Sequence, residues 1–181
     1  VSTNPCGEIP LCPYDSCRLL AINLYSYVDN PFTEKSAFNF DKFNKHVVMA
    51  QRIMDDIVDL EMEKVNRIIE KIESDPESLD VKRTELNLWE KIKTKALQGR
   101  RTGVGITAEG DMLAALGYKY GTPDATEFST KIHKTLALAA YRSSVKLAKE
   151  RGAFSIYDYK REVNNPMILR IKDADIDLYN D

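Results

Sequence analysis

The sequence predicts an α/β chain that is mostly α-helical with a few short strands, on three observations. Glycine is absent between Gly7 and Gly99, so that span is built for regular structure. Apolar residues from Phe43 to Ile72 recur at spacings of three and four, the period of one helix face. The remaining apolar runs, Leu19 to Tyr27 among them, are short, the size of single strands or brief helices.

Taken in order, Pro5, Pro10, Pro13 and Pro31 make the N-terminal stretch loop and extended chain. Residues 1–30 form a loop followed by a short strand or helix at Leu19 to Tyr27, and periodicity does not separate the two. Residues 40–98 are helical. A long amphipathic helix, either continuous or broken in the middle, carries Phe43, Val47, Ala50, Met54, Val58, Met62, Val65, Ile69 and Ile72 on one face. Asn39 or Asp41 caps its start and residues 74–78, SDPES, stop it. A second helix begins near Thr84, presents Leu86, Trp89, Ile92 and Ala96, and ends with Gly99 at the C′ position.

Residues 99–160 read as strand, helix, helix, strand. Residues 99–106, GRRTGVGI, are a loop and a short buried strand, followed by a helix from Thr107 to about Leu116 and a terminating Gly117. Thr122-Pro123-Asp124 is a helix start: a cap, a proline in the first turn and an acid at the positive end of the dipole. That helix carries Phe128, Ile132, Leu136, Ala140, Ser143 and Leu147 and ends at Gly152. Ala153 to Tyr157 is the last strand, and residues 173–181 are an acidic, frayed tail.

Composition excludes several classes of function. Lys plus Arg is 26 against 28 for Asp plus Glu, a net charge of −2, which lacks the basic footprint of a dedicated nucleic-acid binder. Hydrophobic residues at 43% and charged residues at 30% can build a core and do not resemble a disordered tail. No apolar run approaches the roughly 18–20 residues that span a bilayer, and VSTNPCGEIP lacks the features of a secretory signal. No nucleic-acid or membrane partner is expected, and the expected compartment is the cytoplasm. The chain begins at Val1, which suggests an excised or processed piece of a longer protein. The three cysteines, Cys6, Cys12 and Cys17, are an odd number, which suits a reducing compartment better than a disulfide scaffold.

The densest chemistry lies in Asn4-Pro5-Cys6-Gly7-Glu8. In an extended loop, residues at i, i+2 and i+4 face the same side, so Asn4, Cys6 and Glu8 can meet one ligand together. An amide that orients a hydroxyl, a thiol that acts as nucleophile or radical carrier and a carboxylate that acts as base form a coherent active-site set. The plainer alternative is a Pro/Gly turn around a buried cysteine. Cys17, eleven positions beyond Cys6, is a candidate redox pair or relay. A zinc site of Cys6, Cys12, Cys17 and His46 is disfavoured, because five, four and twenty-eight intervening residues match no usual zinc pattern. No metal ligand is assigned, and His46 and His133 are surface or packing residues.

Three other features read as structural. Arg100-Arg101 with Gly103 and Gly105 has neither phosphate-binding fingerprint and is a turn into a strand. Asp55, Asp56 and Asp59 are a solvated helix face in preference to a cation site. Met49, Met54 and Met62 follow helical spacing into the core.

Residues 4–11, NPCGEIPL, continued by Ser16-Cys17-Arg18-Leu19 and Ile22-Asn23-Leu24, resemble the active-site region of ribonucleotide reductases, most of all the adenosylcobalamin-dependent class II enzymes. Residues 99–106 and 147–152, LAKERG, resemble later segments of that catalytic chain in the same order, and the resemblance runs to about residue 160. It implies a fragment of a ten-stranded α/β barrel with the finger loop at its N-terminus. Cys6 would be the thiyl-radical residue that abstracts the 3′ hydrogen of the substrate ribose. Glu8 would be the base for the 3′ hydroxyl, Asn4 would orient the ribose hydroxyls, and Cys17 would be one of the two cysteines that deliver reducing equivalents.

The resemblance also implies a ribonucleoside di- or triphosphate substrate, adenosylcobalamin as cofactor in the full-length parent and a thioredoxin- or glutaredoxin-type reductant. The second redox cysteine of the family normally precedes the finger loop and has no counterpart in this sequence. The effector site, the downstream phosphate-binding loop and the cysteine-bearing tail are not recognisable, and Cys12 has no role. The missing parts of the parent chain are therefore partners, no cofactor is expected on the fragment, and no turnover is expected from it alone. Exposed strand edges would favour a homodimer. Two rival readings are a non-catalytic helical interaction module built on the helix from Asp41 to Glu73, and a thiol-disulfide enzyme cycling Cys6 with Cys17. The latter lacks the usual two-residue spacing at a helix N-terminus.

Overall fold

The computed structural model of the chain describes residues 2–3 and 10–181. Strand β1 (Ser2–Thr3) pairs antiparallel with β2 (Pro10–Leu11), with Ser2 opposite Leu11 and Thr3 opposite Pro10. The apolar run that follows is both of the things its length allowed: a strand, β3 (Arg18–Asn23), and then a 3-10 turn, Leu24–Tyr27. Asn23 makes the switch, because its side-chain oxygen accepts from the Tyr25 N–H at 3.0 Å and caps the turn. A two-stranded ribbon, β4 (Val28–Asp29) with β5 (Ala37–Phe38), leads into the first helix.

Helix α1 (Phe40–Ser74) runs unbroken for 35 residues, which decides between the continuous and the broken helix that the sequence left open. Its apolar face has no gap, and all nine predicted core residues from Phe43 to Ile72 are buried. Asn39 is the cap that is used, its side-chain oxygen accepting from the Lys42 N–H at 3.0 Å. The methionine reading is corrected at one position. Met54 and Met62 are 0% and 6% exposed, but Met49 is 57% exposed, because it lies off the stripe that Val47 and Ala50 occupy.

Helix α2 (Leu79–Gly99) starts five residues before the predicted Thr84, with Ser78 at its N-cap, so Thr84 lies in its second turn. Gly99 is its last helical residue and not the C′ position. The left-handed residue is Arg100, at φ 41° and ψ 48°, with its N–H bonded to the Ala96 carbonyl. Strand β6 (Thr102–Thr107) follows, half-buried where a buried strand was expected, and pairs with β3. A Cβ on Gly103 would lie 3.4 Å from the Arg18 carbonyl oxygen, and one on Gly105 3.9 Å from that of Leu20. The register thus advances in the same sense along both strands, as a pair joined through two intervening helices allows.

Helix α3 (Glu109–Ala115) begins after a left-handed Ala108, two residues later than predicted. Helix α4 (Pro123–Arg151) starts as the sequence demanded, with the Thr122 hydroxyl accepting from the Ala125 N–H and Pro123 in the first turn, and stops at Gly152 with φ 87°. Two sequence expectations fail beyond it. Ala153 to Tyr157 is a turn and not a strand: Tyr157 N–H bonds back to Phe154, and no strand lies alongside it among the described residues to supply a ladder. The tail is not frayed. It forms α5 (Tyr159–Glu162), α6 (Pro166–Ala174) and α7 (Ile176–Asn180), with Asn165 and Asp175 capping the last two and Ile171 and Leu178 buried.

The chain divides into two compact units. The first takes residues 1–19, 53–103 and 153–157. Its apolar core is Met62, Val65 and Ile69 of α1 with Ala96 of α2, flanked by Leu86 and Trp89. The second takes residues 20–52, 104–152 and 158–181. Its core gathers Ile22, Leu24, Phe43, Val47, Met112, Leu113, Ile132 and Ala139. Tyr27, Phe38, Phe40, Phe43 and Phe128 meet there in tilted and edge-on pairs at 4.9–6.1 Å. Ser143, the one polar residue predicted on the α4 stripe, is satisfied by donating to the Val48 carbonyl at 2.9 Å. Among the described residues the strands form three two-stranded sheets and no closed barrel, and no helix is long and apolar enough to cross a membrane.

Candidate active site

Asn4, Cys6 and Glu8 lie outside the described residues. Their flanks are described: β1 and β2 pair on either side of the 4–9 segment. The remaining predicted site residue, Cys17, immediately precedes β3. Neither Cys17 nor Cys12 is in a disulfide, and both are half-buried. The Cys17 thiol lies 3.8 Å from the Arg18 carbonyl oxygen, a weak sulfur contact. The pleat turns Cys17 and Leu19 to one side of the strand and Arg18 to the other. Leu19 is 62% exposed, whereas Arg18 is buried.

Two guanidinium groups, those of Arg18 and Arg101, fasten the segment around Cys17, and a third, that of Arg100, ties the end of α2 to α1. Arg18 donates from Nε to Glu61 of α1 and from Nη1 to the carbonyls of Ser16 and Arg101, at 3.4 and 3.3 Å. The Ser16 hydroxyl donates to the other Glu61 oxygen at 3.4 Å, so one carboxylate holds both neighbours of Cys17. Arg101 donates from Nε to Asp15, whose side chain is 3% exposed, and its Nη2 lies 3.9 Å from Cys12 Sγ. Arg100 donates from Nε to Asp55 at 2.6 Å, from Nη1 to Asp59 at 2.8 Å and from Nη2 to the Asp55 carbonyl at 2.9 Å. Burial works against the Arg100 charge, but the hydrogen bonds to Asp59 and Asp55 outweigh it and hold the guanidinium above its usual range.

That arrangement revises one structural reading and keeps another. Asp55, Asp56 and Asp59 have carboxylate oxygens within 4.8 Å of one another, close enough for a cation. They are not a purely solvated face, however, because the Arg100 guanidinium bonds to Asp55 and Asp59 and supplies the positive charge itself. Arg100-Arg101 is the turn it was expected to be, with both side chains bonded to carboxylates. Of the histidines, His46 Nδ1 shares a hydrogen bond with the Tyr27 hydroxyl at 2.9 Å, and His133 Nε2 lies 3.6 Å from Glu109.

Sequence reasoning did not single out Asp15, Glu61 or the pairing of Arg18 with Glu61. Only the tertiary fold brings residues 43 positions apart into contact. It also missed a shallow cleft of about 340 Å³ in the second unit, lined by Asn23, Tyr25, Phe32, Ala108, Asp111 and Ala114.

Residues 1–173 match the family model described as "Ribonucleotide reductase, barrel domain". The chain belongs to that family. The barrel is accordingly the architecture of the family, whereas the described residues of this reductase segment hold three two-stranded sheets. The segment is 29% identical over 160 residues to the vitamin B12-dependent ribonucleoside-diphosphate reductase of Mycobacterium tuberculosis, covering 88% of this chain and 19% of that protein. It is 32% identical over 153 residues to the protein of the same name in Thermoplasma acidophilum, covering 84% of this chain and 16% of that one. A ribonucleoside-diphosphate reductase subunit alpha of Chlamydia pneumoniae is 28% identical over 159 residues, 86% of this chain and 12% of the subunit. The chain thus spans less than a fifth of the length of these curated relatives.

Proposed function

We propose that this chain is the active-site segment of a ribonucleoside di- or triphosphate reductase, part of a ten-stranded α/β barrel, that makes deoxyribonucleotides by thiyl-radical chemistry. The observation that carries the reading is the barrel-domain match over residues 1–173, which contains the Asn4-Pro5-Cys6-Gly7-Glu8 motif and Cys17 together. The same match counts against an interaction module and against a small thiol-disulfide enzyme.

Each residue then has a task that suits its chemistry. Cys6, as a thiyl, takes the 3′ hydrogen of the ribose, Glu8 accepts the 3′ hydroxyl proton, and Asn4 orients the ribose hydroxyls. Cys17 and a second cysteine of the parent chain lose two protons and two electrons to form a disulfide as the 2′ hydroxyl leaves as water. A dithiol protein of the thioredoxin or glutaredoxin type returns those electrons. Similarity to the two B12-dependent relatives favours adenosylcobalamin, which when bound would supply the radical equivalent. Cys6 would be the thiol that such a radical oxidises. Cysteine occurs only at positions 6, 12 and 17, so turnover needs the second redox cysteine that this sequence does not supply.

The test is turnover in the intact reductase. Cys6→Ala should abolish deoxynucleotide formation with the fold kept, and unchanged turnover would remove the radical assignment. Cys17→Ala should block multiple turnover with the physiological dithiol donor. Normal multiple turnover would remove Cys17 from the redox pair.

A further inference from the structure

We propose that Gly103 is a positioning residue for the Cys17 thiol: by carrying no side chain, it keeps open the space beside Sγ in which that sulfur reaches its reaction partners. The inference rests on the reading of Cys17 as an electron-delivering thiol and adds a residue of β6 to that site. A Cβ built on Gly103 would stand 2.7 Å from Leu19 Cδ2, 3.4 Å from the Arg18 carbonyl oxygen and 3.5 Å from Cys17 Sγ. All three neighbours lie on one short stretch of chain, and Cys17 and Leu19 share a side of it by the two-residue period. Gly103 itself has no positive φ to explain the choice of glycine. The close approach explains it.

The neighbours of Cys17 leave the sulfur little other room to adjust. Ser16 and Arg18 are both tied to Glu61, and Arg18 is further bonded to the Arg101 carbonyl, two residues before Gly103. These bonds restrain the chain on both sides of Cys17, so rotation about its own Cα–Cβ bond is the simplest way for the sulfur to move. A thiol that forms a disulfide must bring its sulfur to about 2.05 Å from the partner sulfur with a dihedral near 90°, so rotation is part of its task. An alanine at 103 would bring a methyl group into ordinary contact with Sγ and displace the end of Leu19. A valine would extend about 1.5 Å further and close the space.

The experiment uses the intact reductase with Gly103→Ala and Gly103→Val. Alkylation of Cys17 by iodoacetamide is followed by peptide mass spectrometry with Cys12 as the internal reference, alongside kcat and KM for the ribonucleotide with a dithiol donor. In Gly103→Val, Cys17 alkylation relative to Cys12 and kcat should each fall roughly tenfold or more while KM stays within about twofold. Gly103→Ala should shift both in the same direction by less. A folded Gly103→Val protein whose Cys17 reacts at the wild-type rate overturns the proposal. If the valine variant does not fold, an unchanged Cys17 rate in Gly103→Ala does so. Full turnover of Cys17→Ser would instead overturn the redox role of Cys17, and the alkylation ratio decides the role of Gly103 independently of it.

Discussion

Arg100 Nε donates to Asp55 Oδ1 over 2.6 Å while the Arg100 backbone sits in the left-handed region at φ 41° and ψ 48°. One residue both ends α2 and binds α1. The left-handed conformation costs a non-glycine residue roughly 1–2 kcal/mol, and three side-chain hydrogen bonds to Asp55 and Asp59 offset it.

Two substitutions at Arg100 separate these opposing contributions. Arg100→Ala keeps the backbone cost and leaves Asp55, whose side chain is 13% exposed, without its guanidinium, so it should destabilise by roughly 2–3 kcal/mol. Arg100→Gly loses the same bonds but relieves the backbone, and should destabilise by about 1 kcal/mol less. Urea denaturation gives the ranking, and an alanine variant more stable than the glycine variant would show that the backbone is not strained.

The Arg18–Glu61 pair should behave as a coupled unit. The Arg18 side chain is 7% exposed and its Nη2 has no hydrogen-bond partner among the described residues, so it depends on Glu61 for compensation. Glu61→Gln should cost roughly 2–3 kcal/mol, whereas Arg18→Met with Glu61→Leu should cost clearly less than the sum of the single changes. Strict additivity in that cycle would mean the two charges stand independently.

Asp175 should make the C-terminal helices sensitive to acid. The Leu178 N–H and then the Arg142 guanidinium hold its carboxyl below the usual carboxylate range, against the opposing effect of burial. A lowered folded-state pKa adds stability above the ordinary carboxylate value of about 4 and loses it as pH falls through the lower, folded value. Amide protection in α6 and α7 should therefore fall below about pH 4, and Asp175→Ala should lower protection at neutral pH and remove that dependence. Equal protection of the wild-type helices at pH 7 and pH 2 would exclude the mechanism.

Local patterns were the most legible part of the sequence. The α1 stripe appears residue for residue in the buried set, and the Thr122-Pro123 start and Gly152 stop bound α4 where they were placed. The errors came where a residue's state depends on chain far away. Met49 follows a plausible spacing and is exposed. Ala153 to Tyr157 has strand composition but no partner strand among the described residues. Residues 173–181 are acidic and look frayed, but Arg142 and Lys149 of α4 pair with Asp175 and Asp181 and hold them. The ribose-specific roles proposed for Asn4, Cys6 and Glu8 rest on resemblance, and those residues lie outside the described ones.

By itself the sequence determined the α1 face, the caps of α4 and the family, because helix period, capping chemistry and a short specific motif are properties of neighbouring residues. The tertiary structure alone decided what surrounds Cys17: the shared Glu61 carboxylate, the Arg18 and Arg101 clamps and the bare backbone of Gly103. Those contacts join residues dozens of positions apart, and ion pairs and close approaches across such distances leave no periodic trace along the chain. Such contacts form only when folding brings β3, α1 and the start of β6 together.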